Sequence, residues 1–239
     1  ALNGNADFMG DDIHYASNHD FVGIEFSIHG MLDGRVRVGM PGKFNADNAL
    51  AALAVCTLAL SGGSGVLDDH TKQAILGSLV KVRVDGRMEI AHVSKKCSVI
   101  VDYAHNAVSM ESLLTTLRDY HPKRLVCVFG CGGNRARDRR YSMGEIGGKM
   151  ADLCIITADN PRFEKNEDII KDIEVGLAKT DGTYLVIPDR REAIFYAIRN
   201  AEEGDMIAII GKGHEDYQEI EGVKHHFLDR EVVEEAVKG

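Results

Sequence analysis

Residues 124–140 read RLVCVFGCGGNRARDRR, and their pattern decides the fold. A short apolar run rich in β-branched residues, 124–129, stops at Gly130-Cys131-Gly132-Gly133, and a helical stretch over 142–151 follows. That is a strand, a glycine turn and a helix. The same unit repeats in kind on both sides. Upstream lie a strand over 98–102 and a helix over 109–120. Downstream lie strands over 153–157, 184–187 and 206–210, with helices over 167–178, 190–200 and 229–237. Such alternation predicts an α/β fold with a doubly wound, mostly parallel sheet covered by helices on both faces. In sheets of that kind ligands sit outside the carboxyl ends of the strands.

The first third of the chain has a different texture. Residues 21–28 alternate partly in polarity, Asp33-Gly34 is a turn signal, and 36–38 forms a returning strand, so a β-hairpin is expected. Pro41–Asn48 leads into an Ala/Leu-rich helix, with Asn45 as the expected N-cap. Gly62-Gly63-Ser64-Gly65 stops that helix, and a second covers 69–79. The charged, glycine-containing segment 81–87 marks a boundary, dividing the chain into 1–83 and 84–239. The opening, 1–18, is polar, has no initiator Met and reads as the start of an excised piece.

Composition narrows the function classes. The chain has 239 residues, 28 Lys+Arg against 37 Asp+Glu, and a formal net charge of −9. At 44% hydrophobic and 27% charged it can bury a core, which excludes intrinsic disorder. The acidic balance argues against a nucleic-acid binder. No apolar run approaches the roughly 20 residues that span a bilayer, so no membrane partner is expected. Five scattered cysteines suit a reducing cytoplasm better than a disulfide framework. Cys127 and Cys131 lack a second Cys/His pair, so no metal site is expected.

Four strand ends carry dense polar or glycine-rich sequence. Asp102-Tyr103-Ala104-His105 follows the first, and Gly130–Gly133 with four arginines in 135–140 follows the second. Asp159-Asn160-Pro161-Arg162 follows the third, and Gly211-Lys212-Gly213-His214-Glu215 follows 206–210. Each taken alone has a plain reading as a turn or a solvated loop. Together on one sheet edge they predict a binding cleft. Glycines let backbone approach a ligand, and arginine forks grip carboxylate or phosphate. A carboxylate such as Glu215 can take an ammonium. No Walker A pattern and no G-x-G-x-x-G is present.

The ordered set PGKFNADNALAA (41–52), GRMEI (86–90), VDYAHN (101–106), VFGCGGNR (128–135), DNPR (159–162), GKGHEDYQ (211–218) and HHFLDREV (225–232) resembles the C-terminal half of the Mur ligase family, of the diaminopimelate-adding MurE type. The resemblance implies that 1–83 is the end of a central ATP-binding domain and 84–239 a C-terminal domain. It implies an ADP-forming amide ligase of peptidoglycan precursor synthesis that works through an acyl-phosphate. ATP and Mg²⁺, meso-diaminopimelate and a UDP-N-acetylmuramoyl-dipeptide are the implied small-molecule partners of a cytoplasmic monomer. The family's phosphate loop and carbamylated lysine lie upstream of these motifs, so no catalytic residue is expected here and the chain alone should be inactive.

By the same resemblance, Asn48, Asn45, Asp102, Tyr103, His105 and Arg140 are expected to contact ATP. Arg135, Asp159, Asn160, Pro161, Arg162, Gly211 and Glu215 are expected to hold the amino acid. Two departures stand out: Asn106-Ala107 replaces the family's Thr-Pro, and GGNRARDRR replaces GGDRDxxKR, losing two acidic positions. The alternatives are a lysine-adding or folylpolyglutamate-type ligase, whose acceptor site has no need of DNPR, and a non-catalytic ligand-binding module.

Overall fold

The computed structural model describes residues 6–238. Residues 1–5, the start of the polar opening, lie outside the described residues. The chain forms two compact units, Ala1–Arg83 and Val84–Gly239.

In the first unit, β1 (Phe8–Asn18), β2 (Phe21–Gly30) and β3 (Gly34–Val38) pair antiparallel in that order. Ile24, Phe26 and Ile28 point every second side chain of β2 into the core, and Val36 and Val38 do the same on β3. They pack on α1 (Phe44–Leu60) through Ala46, Ala49, Leu50 and Leu53, and on α2 (Asp69–Ser78) through Ile75 and Leu76. The hairpin expected at 21–38 is β2–β3. The polar opening also contains β1, where all but two residues are exposed or half-buried, so its apolar alternation is weak. Asp68 caps α2 by accepting from the Thr71 N–H at 2.9 Å.

Asn45 does not cap α1, contrary to expectation. Lys43 holds the N-cap position with no side-chain bond to the helix. Asn45 lies within the first turn, buried, donating to the Pro41 carbonyl at 2.7 Å and accepting from Asn48 at 3.0 Å. The amide therefore pins the preceding Pro-Gly turn to the helix.

The second unit holds a six-stranded sheet in the order β4-β5-β9-β6-β7-β8. The strands are β4 (Glu89–Val93), β5 (Cys97–Asp102), β6 (Arg124–Phe129), β7 (Leu153–Ile156), β8 (Tyr184–Val186) and β9 (Asp205–Ile210). Only β4 runs antiparallel; the other neighbours are parallel. Helices α3 (Ala107–Arg118), α4 (Asp138–Met150) and α5 (Asn166–Leu177) pack side by side. Helices α6 (Arg190–Arg199) and α7 (Asp229–Lys238) pair against each other. Val99, Val101, Val126, Val128, Ile207 and Ile209 face α6 and α7, meeting Ala193, Ile194, Val232 and Val233. Every residue of β5 and β9 is buried, which explains why these strands read as continuous apolar runs. A small hairpin, β10 (Tyr217–Ile220) and β11 (Val223–His226), follows β9.

The Asn106-Ala107 departure is resolved locally. Asn106 accepts from the Ser109 N–H at 2.9 Å, and the Ser109 hydroxyl reaches back to the Asn106 N–H, forming a capping box for α3.

Candidate functional site

The carboxyl ends of β5, β9, β6 and β7 stand side by side because these strands are parallel neighbours. The chain steps across the sheet from β5 to β8 and then returns, placing β9 between β5 and β6. The loops leaving these ends enclose a cavity of about 210 Å³. Sites for drug-sized ligands begin near about 300 Å³, so this one suits a guest of amino-acid size. Tyr103 and His105 line it after β5, and Gly130, Cys131, Gly132, Arg135 and Arg139 after β6. Asp159, Asn160 and Arg162 line it after β7, and Gly211 and Glu215 after β9.

One end of the cavity is acidic. Glu215 Oε2 accepts from Asn160 Nδ2 at 2.8 Å and lies 3.4 Å from Lys212 Nζ. Its Oε1 meets the Tyr103 hydroxyl at 3.4 Å. Burial and then the Glu215 charge raise the Tyr103 pKa, so the hydroxyl remains a donor. The long contacts leave Glu215 with acceptor capacity for a cationic guest. Asn160 cannot turn its amide round, because the Glu219 N–H donates to Oδ1 at 2.8 Å. Lys212 is fully buried beneath this group; it also donates to the Tyr217 carbonyl, and burial pulls its pKa below the ordinary lysine value.

The other end is basic. Arg162 has φ +54°, a left-handed conformation that costs an L residue energy. The turn is held there from β10: the Arg162 N–H donates to the Glu219 carbonyl at 3.0 Å, and the Glu221 N–H donates to the Arg162 carbonyl at 2.6 Å. The guanidinium donates through Nη1 to the Gly133 carbonyl at 2.9 Å and sets Nε 3.3 Å from the Glu219 carboxylate. Arg135 is exposed and Arg139 half-buried on the same wall.

Two glycines make the walls meet. A Cβ on Gly133 would stand 1.9 Å from the Pro161 carbonyl oxygen. Gly211 has φ +112°, and a Cβ there would lie 2.6 Å from Asp159 Oδ2. Pro161 is thus behind the cavity lining, backing the Gly130–Gly133 loop. Asp159 is buried, and its Oδ1 accepts from the Asn160 N–H at 2.6 Å.

Other expected residues lie elsewhere. Asp102 is buried and off the cavity lining; its carboxylate accepts from the Met88 and Ala104 N–H groups at 2.7 Å each. Burial raises its pKa against those two donors. Arg140 is also off the cavity lining. It is fully buried, with both terminal nitrogens on Glu164 at 2.8 and 2.9 Å and Nη1 also on Asp172 at 2.9 Å. Its guanidinium ties α4 to the loop after β7 and to α5. Asn45 and Asn48 belong to the first unit, with Asn48 exposed on the first turn of α1.

Three contributors escaped the sequence reading. Arg190, fully buried, holds Asp229 by two bonds of 2.7 Å and donates to the Ala158 and Ile210 carbonyls at 3.2 and 3.0 Å. Those carbonyls directly precede Asp159 and Gly211, so one side chain fixes the spacing of two cavity walls. Arg87 stacks on the Tyr103 ring at 4.8 Å. Glu219 sits on a hairpin that the sequence pattern did not announce. Cys131 lines the cavity as an inert thiol, its pKa pushed up to about 12 by burial. Among the described residues, no three His, Cys, Asp or Glu side chains gather as a metal site. Nor is any helix there long and apolar enough to cross a membrane.

Residues 86–213 match the family described as Mur ligase, glutamate ligase domain. The chain is 42% identical over 232 residues to a UDP-N-acetylmuramoyl-L-alanyl-D-glutamate–2,6-diaminopimelate ligase of Clostridioides difficile, covering 97% of this chain and 46% of that protein. It is also 42% identical, over 238 residues, to the protein of the same name from Aquifex aeolicus, covering 45% of it. A solved structure of an enzyme with that name superposes with a TM-score of 0.75 at 34% identity, over 99% of this chain and 46% of the other. The chain thus spans about half the length of the relatives it matches.

Proposed function

The chain belongs to the Mur ligase family, and on that premise we propose that it is the amino-acid-binding half of an ADP-forming ligase that joins meso-diaminopimelate to UDP-N-acetylmuramoyl-L-alanyl-D-glutamate. The reading rests on one observation above all: Glu215 and Arg162 line the same cavity of amino-acid size. The distal end of diaminopimelate carries an ammonium and a carboxylate together. Glu215 suits the first, and Arg162, with Arg135 beside it, suits the second. Lysine offers the ammonium alone and would leave the cavity-facing edge of the guanidinium without a carboxylate.

In this account ATP phosphorylates the glutamate carboxylate of the UDP substrate. The amino group of diaminopimelate then attacks the acyl carbon, the C–N bond forms, and inorganic phosphate leaves with the C–O electron pair. The residues of this chain do not perform the phosphoryl transfer. They hold the amino acid by its distal end, which orients the reacting amine and lowers the entropic cost of attack. The Tyr103–His105 rim, with Arg87 stacked behind Tyr103, offers a wall of aromatic and cationic groups to the nucleotide. Mg²⁺ would neutralise phosphate charge; the described residues do not by themselves form its site.

The first unit is read as the end of the ATP-binding domain. Its helix α1 supports this: Phe44, Val55 and Leu60 are 53%, 68% and 63% exposed on the side away from the core. A helix apolar all round belongs inside a larger domain. Cytoplasmic location and a monomeric state accompany the reading. The test is amino-acid-dependent ADP release by the full-length protein that carries this chain. Activity with meso-diaminopimelate and little with lysine supports the reading; equal use of both contradicts it. ATP-dependent amide synthesis by the 239-residue chain alone would contradict the division of labour.

A further inference from the structure

Glu219, the third residue of β10, stands outside the cavity, yet all three of its polar groups engage the Asp159–Arg162 turn. Its N–H donates to Asn160 Oδ1 at 2.8 Å, and its carbonyl accepts from the Arg162 N–H at 3.0 Å. Its carboxylate lies 3.3 Å from Arg162 Nε, with both side chains 21% exposed. We propose that Glu219 is a positioning residue that makes the site selective for a guest with a distal carboxylate, an inference that rests on the function proposed above.

A guanidinium has five N–H donors. Glu219 stands as an ion pair against the Nε edge, and the Gly133 carbonyl takes one Nη1 hydrogen. What remains is the end-on edge, the Nη2 group with the second Nη1 hydrogen, which matches a carboxylate in bidentate fashion. Arg162 is otherwise a long side chain with many rotamers, and fixing it beforehand spares the guest that entropy. The two backbone bonds anchor Glu219 to the turn, so its carboxylate stays at the Nε edge and does not compete for the end-on one. Lysine has no distal carboxylate, so Glu219 has nothing to act on when lysine is the guest.

The experiment uses the full-length protein carrying Glu219→Ala and, separately, Glu219→Gln, which keeps an acceptor oxygen without the charge. Both backbone bonds survive either change, and the residue lies on a partly exposed hairpin, so folding should persist. For the Ala variant we expect KM for meso-diaminopimelate to rise about tenfold and its preference over lysine to fall by a similar factor. The Gln variant should recover part of that loss. KM for ATP, kcat at saturating amino acid and the use of lysine should each move by less than about twofold. An unchanged or lowered KM for meso-diaminopimelate overturns the inference, the lowered value showing competition for Arg162. So does a parallel loss with ATP and lysine, which marks a merely structural role. If the unsubstituted protein does not use meso-diaminopimelate, the proposed function fails and takes this inference with it. If it does and the Ala variant behaves identically, only the inference fails.

Discussion

Arg162→Ala tests the basic end of the cavity. The perturbation removes three uncommitted N–H donors from the wall while leaving the backbone φ of +54° to another L residue, so conformational strain is similar before and after. Truncating one partner of a buried, hydrogen-bonded charge pair costs about 2–5 kcal/mol. Arg162 is 21% exposed on its side chain, which allows partial solvent screening and favours the lower part of that range. At 1.4 kcal/mol per decade, about 2–3 kcal/mol corresponds to roughly a 30- to 150-fold loss in kcat/KM. The assay is ADP release by the full-length protein as a function of meso-diaminopimelate, lysine and ATP in turn. The loss should fall on meso-diaminopimelate, with lysine use unchanged and KM for ATP within about twofold. An equal loss for both amino acids, or a loss tracking ATP, would refute the assignment of this guanidinium to a distal carboxylate.

Arg190→Met strands the Asp229 carboxylate, which is 0% exposed, and should destabilise the chain by about 3–5 kcal/mol in urea unfolding. Adding Asp229→Leu should recover most of that loss, because an apolar pair replaces an ion pair with little net cost; no recovery would show that the bonds to the Ala158 and Ile210 carbonyls dominate. Gly133→Ala forces a Cβ to within 1.9 Å of the Pro161 carbonyl and should part the two loops. Calorimetric titration should then find meso-diaminopimelate binding lost while the unfolding midpoint moves only modestly. Lys212 is uncharged more readily in the folded than in the unfolded chain, because burial lowers its pKa below 10.5. In the window just below 10.5 the unfolded state binds the extra proton, so this group makes stability rise with pH. Lys212→Met should lack that rise, seen as a flatter stability profile between neutral pH and 10.5; identical slopes would contradict it.

The inner strands β5, β6, β7 and β9 were legible because they are short, largely apolar and buried, and because helices alternate with them. β6 begins and ends where the apolar run does, and the strand ends carry their polar loops in plain sight. The hairpin β10–β11 was not legible: its eight side chains are exposed or half-buried, so no alternation marks it. Glu219 was hidden with it. Four arginines in the six residues 135–140 look alike in sequence. Only the fold separates Arg135 and Arg139, which line the cavity, from Arg140, whose charge is consumed by Glu164 and Asp172. Arg190 and Asp229 lie 39 residues apart, and nothing local in either neighbourhood signals that the two α-helices α6 and α7 begin against each other. Asn45 fits an N-cap by composition, yet the Pro41-Gly42 turn claims its amide first.

The proposed function requires that one cavity at four strand ends bind a guest that is zwitterionic at its far end. A crystal structure of the full-length protein soaked with meso-diaminopimelate tests it most directly. The distal ammonium should lie against Glu215 and the distal carboxylate across the end-on edge of Arg162. A guest seated with that end reversed, or bound away from both side chains, would contradict it.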